Sequence, residues 1–272
     1  MQKLSDEFYH TAIRNEFPNA KNITVPKVAG KVARVFTFQT NNGPRVCKFN
    51  NASIILRNYR LTQELYDFGV PIKPTLPHVY LGQYFESYEY DPHLTLKETI
   101  SNMSASEISD AYKSALCIQA HLTSFPTHKI NQLLCAHFMD VYNVTMPNYV
   151  QNRAMRCMYR TLYKHFSVGK NMYIMHSDLT PSNMLISDDR RSIARFIDFD
   201  AISICNENMA IFGMLRQYPL NDTNEFIEYY QDISGHDLNR REIVRMLTLF
   251  KKTLDIRNYA NKFTISNLIK QH

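Results

Sequence analysis

The sequence predicts an α+β fold of two lobes, a small β-rich lobe first and a larger, mainly helical lobe after it. Three observations carry this. Residues 23–50, "ITVPKVAGKVARVFTFQTNNGPRVCKFN", hold β-branched and aromatic runs broken by the turn "NNGP". Beyond about residue 90 the pattern is mainly helical. The chain, at 272 residues, is long for one core and comfortable for two. The expected division is 1–89 and 90–272, with the boundary near Tyr88–Pro92. A cleft between such lobes is a common ligand site.

In the first lobe, "ARVFTFQT" and "RVCKF" read as strands. Alternation puts Lys48 on the face of Val46, opposite Cys47 and Phe49. A lysine on an inward face needs an anionic partner. "SIILRNYRLTQELYDF" has helical spacing, with Ile54, Leu61, Leu65 and Phe68 on one face. Gly69 is the expected C-cap, followed by Pro71. "HVYLGQYFESYEY" gives one or two further strands. In the second lobe, Ser104 and Glu107 stand at capping-box spacing before a helix. Ile243, Leu247, Phe250 and Leu254 mark another amphipathic helix near the end.

Composition excludes several classes. The hydrophobic fraction is 44% and the charged fraction 21%, as in ordinary globular proteins. No apolar run approaches the ~20 residues that cross a bilayer, so no membrane role is expected. The N-terminal stretch has no signal-peptide pattern. Five scattered cysteines without a CxxC argue against disulfides or a zinc knuckle and for a reducing, cytoplasmic setting. The net charge of +6 is spread along the chain without a basic stripe, so no nucleic-acid partner is expected. Oligomeric state is not legible.

The chemistry concentrates in "HSDLTPSNMLISDDRRSIARFIDFD", His176–Asp200. "NMLIS" and "SIARFID" read as strands around the polar turn "DDRR". If they form a hairpin, Asn183 and Asp198 lie at its matching ends, with Asp178 in the loop just before. A carboxylate and an amide oxygen suit Mg²⁺, which takes oxygen ligands and keeps room for phosphates. A further carboxylate can accept a proton from a hydroxyl. That combination fits phosphoryl transfer.

"HSDLTPSNML…FIDFD" resembles the catalytic pattern of the protein-kinase-like superfamily, and most of all its aminoglycoside phosphotransferase and choline kinase branch. The resemblance covers residues 173–200, about a tenth of the chain. It implies a two-lobed protein-kinase-like fold and an ATP- and Mg²⁺-dependent kinase acting on a small-molecule hydroxyl substrate. It implies Asp178 as catalytic base, Asn183 and Asp198 as Mg²⁺ ligands, and Asp200 assisting at a metal or the phosphates. His176 would brace the loop. Lys48 takes the position of the phosphate-binding lysine, and Gly30 sits where a glycine-rich loop would cover the nucleotide. "YFESYEYDP" would be the hinge, and His121 a core histidine.

The chain departs from the pattern in places. Gly30 is the only glycine of its stretch. The resemblance implies a glutamate on the helix after Lys48 as that lysine's ion-pair partner in the nucleotide site; Glu64 is the only glutamate there, yet the matching position holds Asn58 and Tyr59. Asn208 replaces a downstream Asp, which bears on substrate contacts or only on helix capping. Asp200 stands where protein kinases carry Gly, and no Ala-Pro-Glu segment follows, which points away from a protein kinase. A pseudokinase that only binds nucleotide is the other reading. The substrate is not legible, although Glu207, Asp222 and Glu225 could build an acidic subsite.

Overall fold

The computed structural model describes residues 4–26, 33–126, 129, 136–137, 173–176, 178–215 and 223–248. Gly30, Phe250, Leu254 and Asp222 lie outside them. The chain forms two compact units, residues 1–94 with 194–200, and residues 95–193 with 201–272.

The first unit is built on an antiparallel sheet. Its strands are β1 (Lys21–Thr24), β2 (Arg34–Thr40), β3 (Gly43–Phe49), β4 (Leu76–Tyr80) and β5 (Gln83–Glu89). They lie in the order β1-β2-β3-β5-β4. One face packs under helix α1 (Asp6–Glu16), where Tyr9 and Ile13 meet Phe36, Phe38, Cys47, Phe49 and Phe85. The Phe49 and Phe85 rings stack at 4.7 Å. Period-2 alternation then sends Lys48 to the other face, as expected. Its register partner on β5 is Glu86. The β4–β5 hairpin turns through Leu81 and Gly82, both at positive φ, as a two-residue loop that follows strand twist requires.

Helix α2 (Ala52–Asp67) follows β3. It ends at Gly69, where φ is 93°. There Val70 N–H reaches Leu65 O and Gly69 N–H reaches Tyr66 O, both at 2.9 Å. This is a Schellman cap. The buried stripe is Ile55, Asn58, Leu61, Thr62 and Leu65. Ile55, not Ile54, leads it, and two polar residues lie within it. Its two polar members meet polar partners, Asn58 with Glu86 and Asp200 and Thr62 with Thr75, which apolar spacing alone does not reveal.

The second unit contains α3 (Leu96–Thr99) and α4 (Ala105–Thr123), with strands β6 (Ala136–His137), β7 (Tyr173–His176) and β8 (Met184–Ile186). Strand β9 (Ile193–Phe196) runs from this unit into the first. Strand β10 (Ile202–Cys205) lies between β6 and β7. Helices α5 (Glu207–Leu215) and α6 (Thr223–Ser234) follow, and residues 240–248 are helical. The capping box of α4 is present in both directions: Ser104 Oγ accepts from Glu107 N–H, and the Glu107 carboxylate accepts from Ser104 N–H. Ile243 and Leu247 are buried, as their spacing predicts. His121 is half-buried on α4. Among the described residues no helix is long and apolar enough to cross a membrane.

Candidate active site

In the first unit the site grows from the polar face of β3. Lys48, 6% exposed, projects among acids. Its Nζ donates to Asp198 Oδ1 and lies 2.8 Å from Asp200 Oδ2. Burial works against the ammonium, but Asp198, Asp200 and Glu86 outweigh it and hold its pKa above the ordinary lysine value. The expectation of an inward lysine with an anionic partner is met by Asp198 and Asp200.

Asp200 is enclosed. Asn58 Nδ2 donates to its Oδ1 at 2.7 Å, and Asn50 Nδ2 donates to its Oδ2 at 2.9 Å. Arg57 donates to its backbone carbonyl at 2.6 Å. Both carboxylate oxygens expected to serve a metal are thus engaged by protein donors. Asp198 is different. Its side chain is 43% exposed, and its backbone sits at φ +64°. A non-glycine residue in the left-handed region is strained, and such strain gathers at functional positions.

Glu86 is buried to 3% exposure beside this cluster. Burial pushes its carboxyl up to about 7, against the pull of Lys48. Its Oε1 accepts from Asn58 Nδ2 at 3.4 Å, while Oε2 has no hydrogen-bond partner among the described residues. A pocket opens here, lined by Lys48, Asn58, Thr62, Glu86, Asp198 and Phe199 among others. Glu64 lies on α2, six residues after Asn58 and so roughly a third of a turn away around the helix. The helix position directed at Glu86 and Asp200 holds Asn58. In the expected hinge, Asp91 pairs with Arg195 Nε at 2.6 Å, fastening the stretch before Asp198 to the end of the sheet.

In the second unit, His176 is fully buried, and its Nδ1 accepts from Asp178 N–H at 3.3 Å. It braces the loop, as the sequence suggests. Asn183 Nδ2 donates to Asp178 O at 2.8 Å and to Asp178 Oδ2 at 3.2 Å. The five-residue spacing of these two thus closes a compact loop. The polar turn after β8 is closed by Ser187 N–H to Ser192 O at 2.9 Å, with Asp189 collecting the Ser192 and Arg191 amides. Asn208 is a clamp: it accepts from Asn239 N–H at 2.9 Å and donates to Glu242 at 3.0 Å. Its role is to seat the 240–248 helix. Glu225 pairs with Lys113 at 2.5 Å.

Sequence reasoning missed Glu86, Asn50 and the Asp91–Arg195 pair. The one signal for Glu86 was an acid centred in the aromatic strand "YFESYEY".

No family model and no curated protein matches this sequence. Solved structures do match in fold. The GDP complex of aminoglycoside 2'-phosphotransferase-IIIa aligns with a TM-score of 0.64 at 16% identity, over 97% of this chain and 93% of that one. The same phosphotransferase is also solved with GDP and kanamycin, with a TM-score of 0.64 at 15% identity, over 96% and 93%. An aminoglycoside phosphotransferase of Streptomyces rimosus, in complex with ADP and streptomycin, aligns with a TM-score of 0.61 at 15% identity, over 91% and 98%. The chain thus shares its two-lobed fold with these aminoglycoside phosphotransferases. At this level the resemblance read from "HSDLTPSNML…FIDFD" is borne out.

Proposed function

We propose that the protein is an ATP- and Mg²⁺-dependent kinase that phosphorylates a hydroxyl of a small molecule. The observation that carries this is the orientation of Asn183. Its NH₂ is spent on Asp178, which leaves Oδ1 as the atom for a cation. Among the described residues no three His, Cys, Asp or Glu side chains are grouped to hold a metal. The two ligands that the sequence motif implies, Asn183 and Asp198, are one amide and one carboxylate. Few hard oxygen donors from the protein, with the rest from phosphates and water, suit Mg²⁺. When bound, Mg²⁺ neutralises charge on the phosphate oxygens.

The chain's own groups do the rest. Asp178, held by the Asn183 amide, accepts the proton of the substrate hydroxyl as its oxygen bonds to Pγ and the bond to the ADP oxygen breaks. Lys48 steadies the nonreacting phosphates as a fixed point charge. Asp200, with both oxygens engaged, fixes Lys48 and the Asp198 segment. The neighbours' ADP and GDP complexes support a nucleotide as donor, and their kanamycin and streptomycin complexes support a small polar acceptor.

Asp178→Asn and Asp198→Ala separate the roles. Asp178→Asn keeps Mg²⁺–ATP binding and loses turnover by about 10²–10⁴-fold, the range for a general base. Asp198→Ala loses Mg²⁺-dependent ATP binding itself. Calorimetry with ATP and Mg²⁺, beside an ADP-release assay, reads both. Equal turnover in wild type and Asp178→Asn would refute the assignment.

A further inference from the structure

Lys48 is buried, and its charge is balanced by Asp198 and Asp200. In the function proposed above, on which this inference rests, Asp198 turns its carboxylate to a divalent cation. Asp200 is already divided among Lys48, Asn50 and Asn58. A buried ammonium that loses half of its counter-charge is costly. The phosphates that Lys48 steadies supply part of the replacement, and an acid of the protein beside Lys48 would hold the ammonium in place before and during that exchange.

Glu86 answers that need. It is the direct register partner of Lys48 across the β3–β5 ladder. Directly opposed residues have side chains close enough to interact. Its Oε1 is held by Asn58, its Oε2 is buried with no hydrogen-bond partner among the described residues, and Glu86 lines the same pocket as Lys48. A buried carboxylate oxygen without a donor is expensive to keep. Retaining it makes sense where a cation swings towards it. The helix face above carries Asn58, a neutral residue that reaches Glu86 and Asp200 with one amide.

We infer that Glu86 is a positioning residue: the standing counter-ion of Lys48, placed on strand β5 and aimed by Asn58. Lys48 exchanges Asp198 for Glu86 when the metal–nucleotide complex binds, and so keeps its place at the phosphates. The acid comes from the sheet, while the helix contributes only an amide.

The test moves the charge. Glu86→Gln keeps size and an acceptor oxygen but removes the charge. It weakens Mg²⁺–ATP binding, measured by calorimetry, by about 10-fold or more, the equivalent of losing one charge-assisted contact. Adding Asn58→Glu to Glu86→Gln returns a carboxylate to Lys48 from the helix side and restores most of the affinity. A merely structural Glu86 would not be rescued from another element. Unchanged affinity in Glu86→Gln, or no rescue in a folded double variant, overturns the inference while leaving the kinase reading intact. Failure of the wild type to bind Mg²⁺–ATP overturns both. Should Glu86→Gln not fold, the double variants Asn58→Glu/Glu86→Gln and Asn58→Gln/Glu86→Gln are compared by circular dichroism. Folding of the carboxylate carrier alone supports the inference, and folding of neither overturns it.

Discussion

Asp200→Ala removes the acceptor that joins Lys48, Asn50 and Asn58. The carboxylate side chain is 23% exposed, so its bonds are only partly screened by water. It takes contacts of 2.7, 2.8 and 2.9 Å from Asn58, Lys48 and Asn50. Charge-assisted bonds contribute roughly 1.5–3 kcal/mol each, and bonds that share an atom group do not add fully. Lys48 keeps Asp198, so it is not left without a counter-charge. Taking the lower value for each bond, the expected cost is about 3–5 kcal/mol, the range for breaking a buried polar network. The two units need not unfold together, so a global melt is a poor gauge. The assay is native-state hydrogen exchange of the β3 and β5 amides, with denaturant. The expected result is faster exchange there, with little change in α4 and α6 of the second unit. A loss below about 1 kcal/mol in β3 and β5 would refute the view of Asp200 as the clasp of this unit.

Three further outcomes are expected. Ser104→Ala removes the capping box of α4 and lowers stability by about 1 kcal/mol, and Glu107→Ala in addition costs little more, because the two bonds are reciprocal; a denaturant double-mutant cycle checks this. Burial holds the Cys47 thiol far above its ordinary pKa, so at pH 8 peptide-mapped alkylation modifies exposed Cys117 and spares Cys47 until the sheet opens; equal labelling of both would contradict the packing. Burial lowers the pKa of His236, with Glu207 opposing, so the folded state binds fewer protons than the unfolded one. That stability is full above 6.5 and is lost as pH falls below it, and His236→Gln flattens the slope in melts taken across that window.

Local features were readable because their causes are local. Gly69 closes α2 because only a residue free to take positive φ suits that cap. Ser104 and Glu107 announce α4 by spacing alone. The alternation of Cys47, Lys48 and Phe49 placed the lysine correctly, because a strand has only two faces. Asp178 and Asn183 are five residues apart and meet in one loop. What stayed hidden depends on long-range pairing. Asn50 and Asn58 meet Asp200 across separations of 150 and 142 residues. Asn50 carries no local signal, and Asn58 stood out only as the residue in place of an expected glutamate. Glu86 looks like an exposed strand residue until the β3–β5 register sets it beside Lys48. Glu64 drew attention as the only glutamate on its helix. The face pointing at the cluster, however, is fixed by packing of α2, and it carries Asn58.

The central claim is phosphoryl transfer to a small hydroxyl compound. The most direct measurement follows γ-labelled ATP with Mg²⁺ over a panel of aminoglycosides, amino alcohols, sugars and vitamins, with Asp178→Asn as control. The account predicts a labelled phosphate ester from at least one compound class, formed by the wild type and reduced by about 10²-fold or more in the variant. Tight Mg²⁺-dependent ATP binding with no ester from any class, or ester formed equally by the variant, would contradict it.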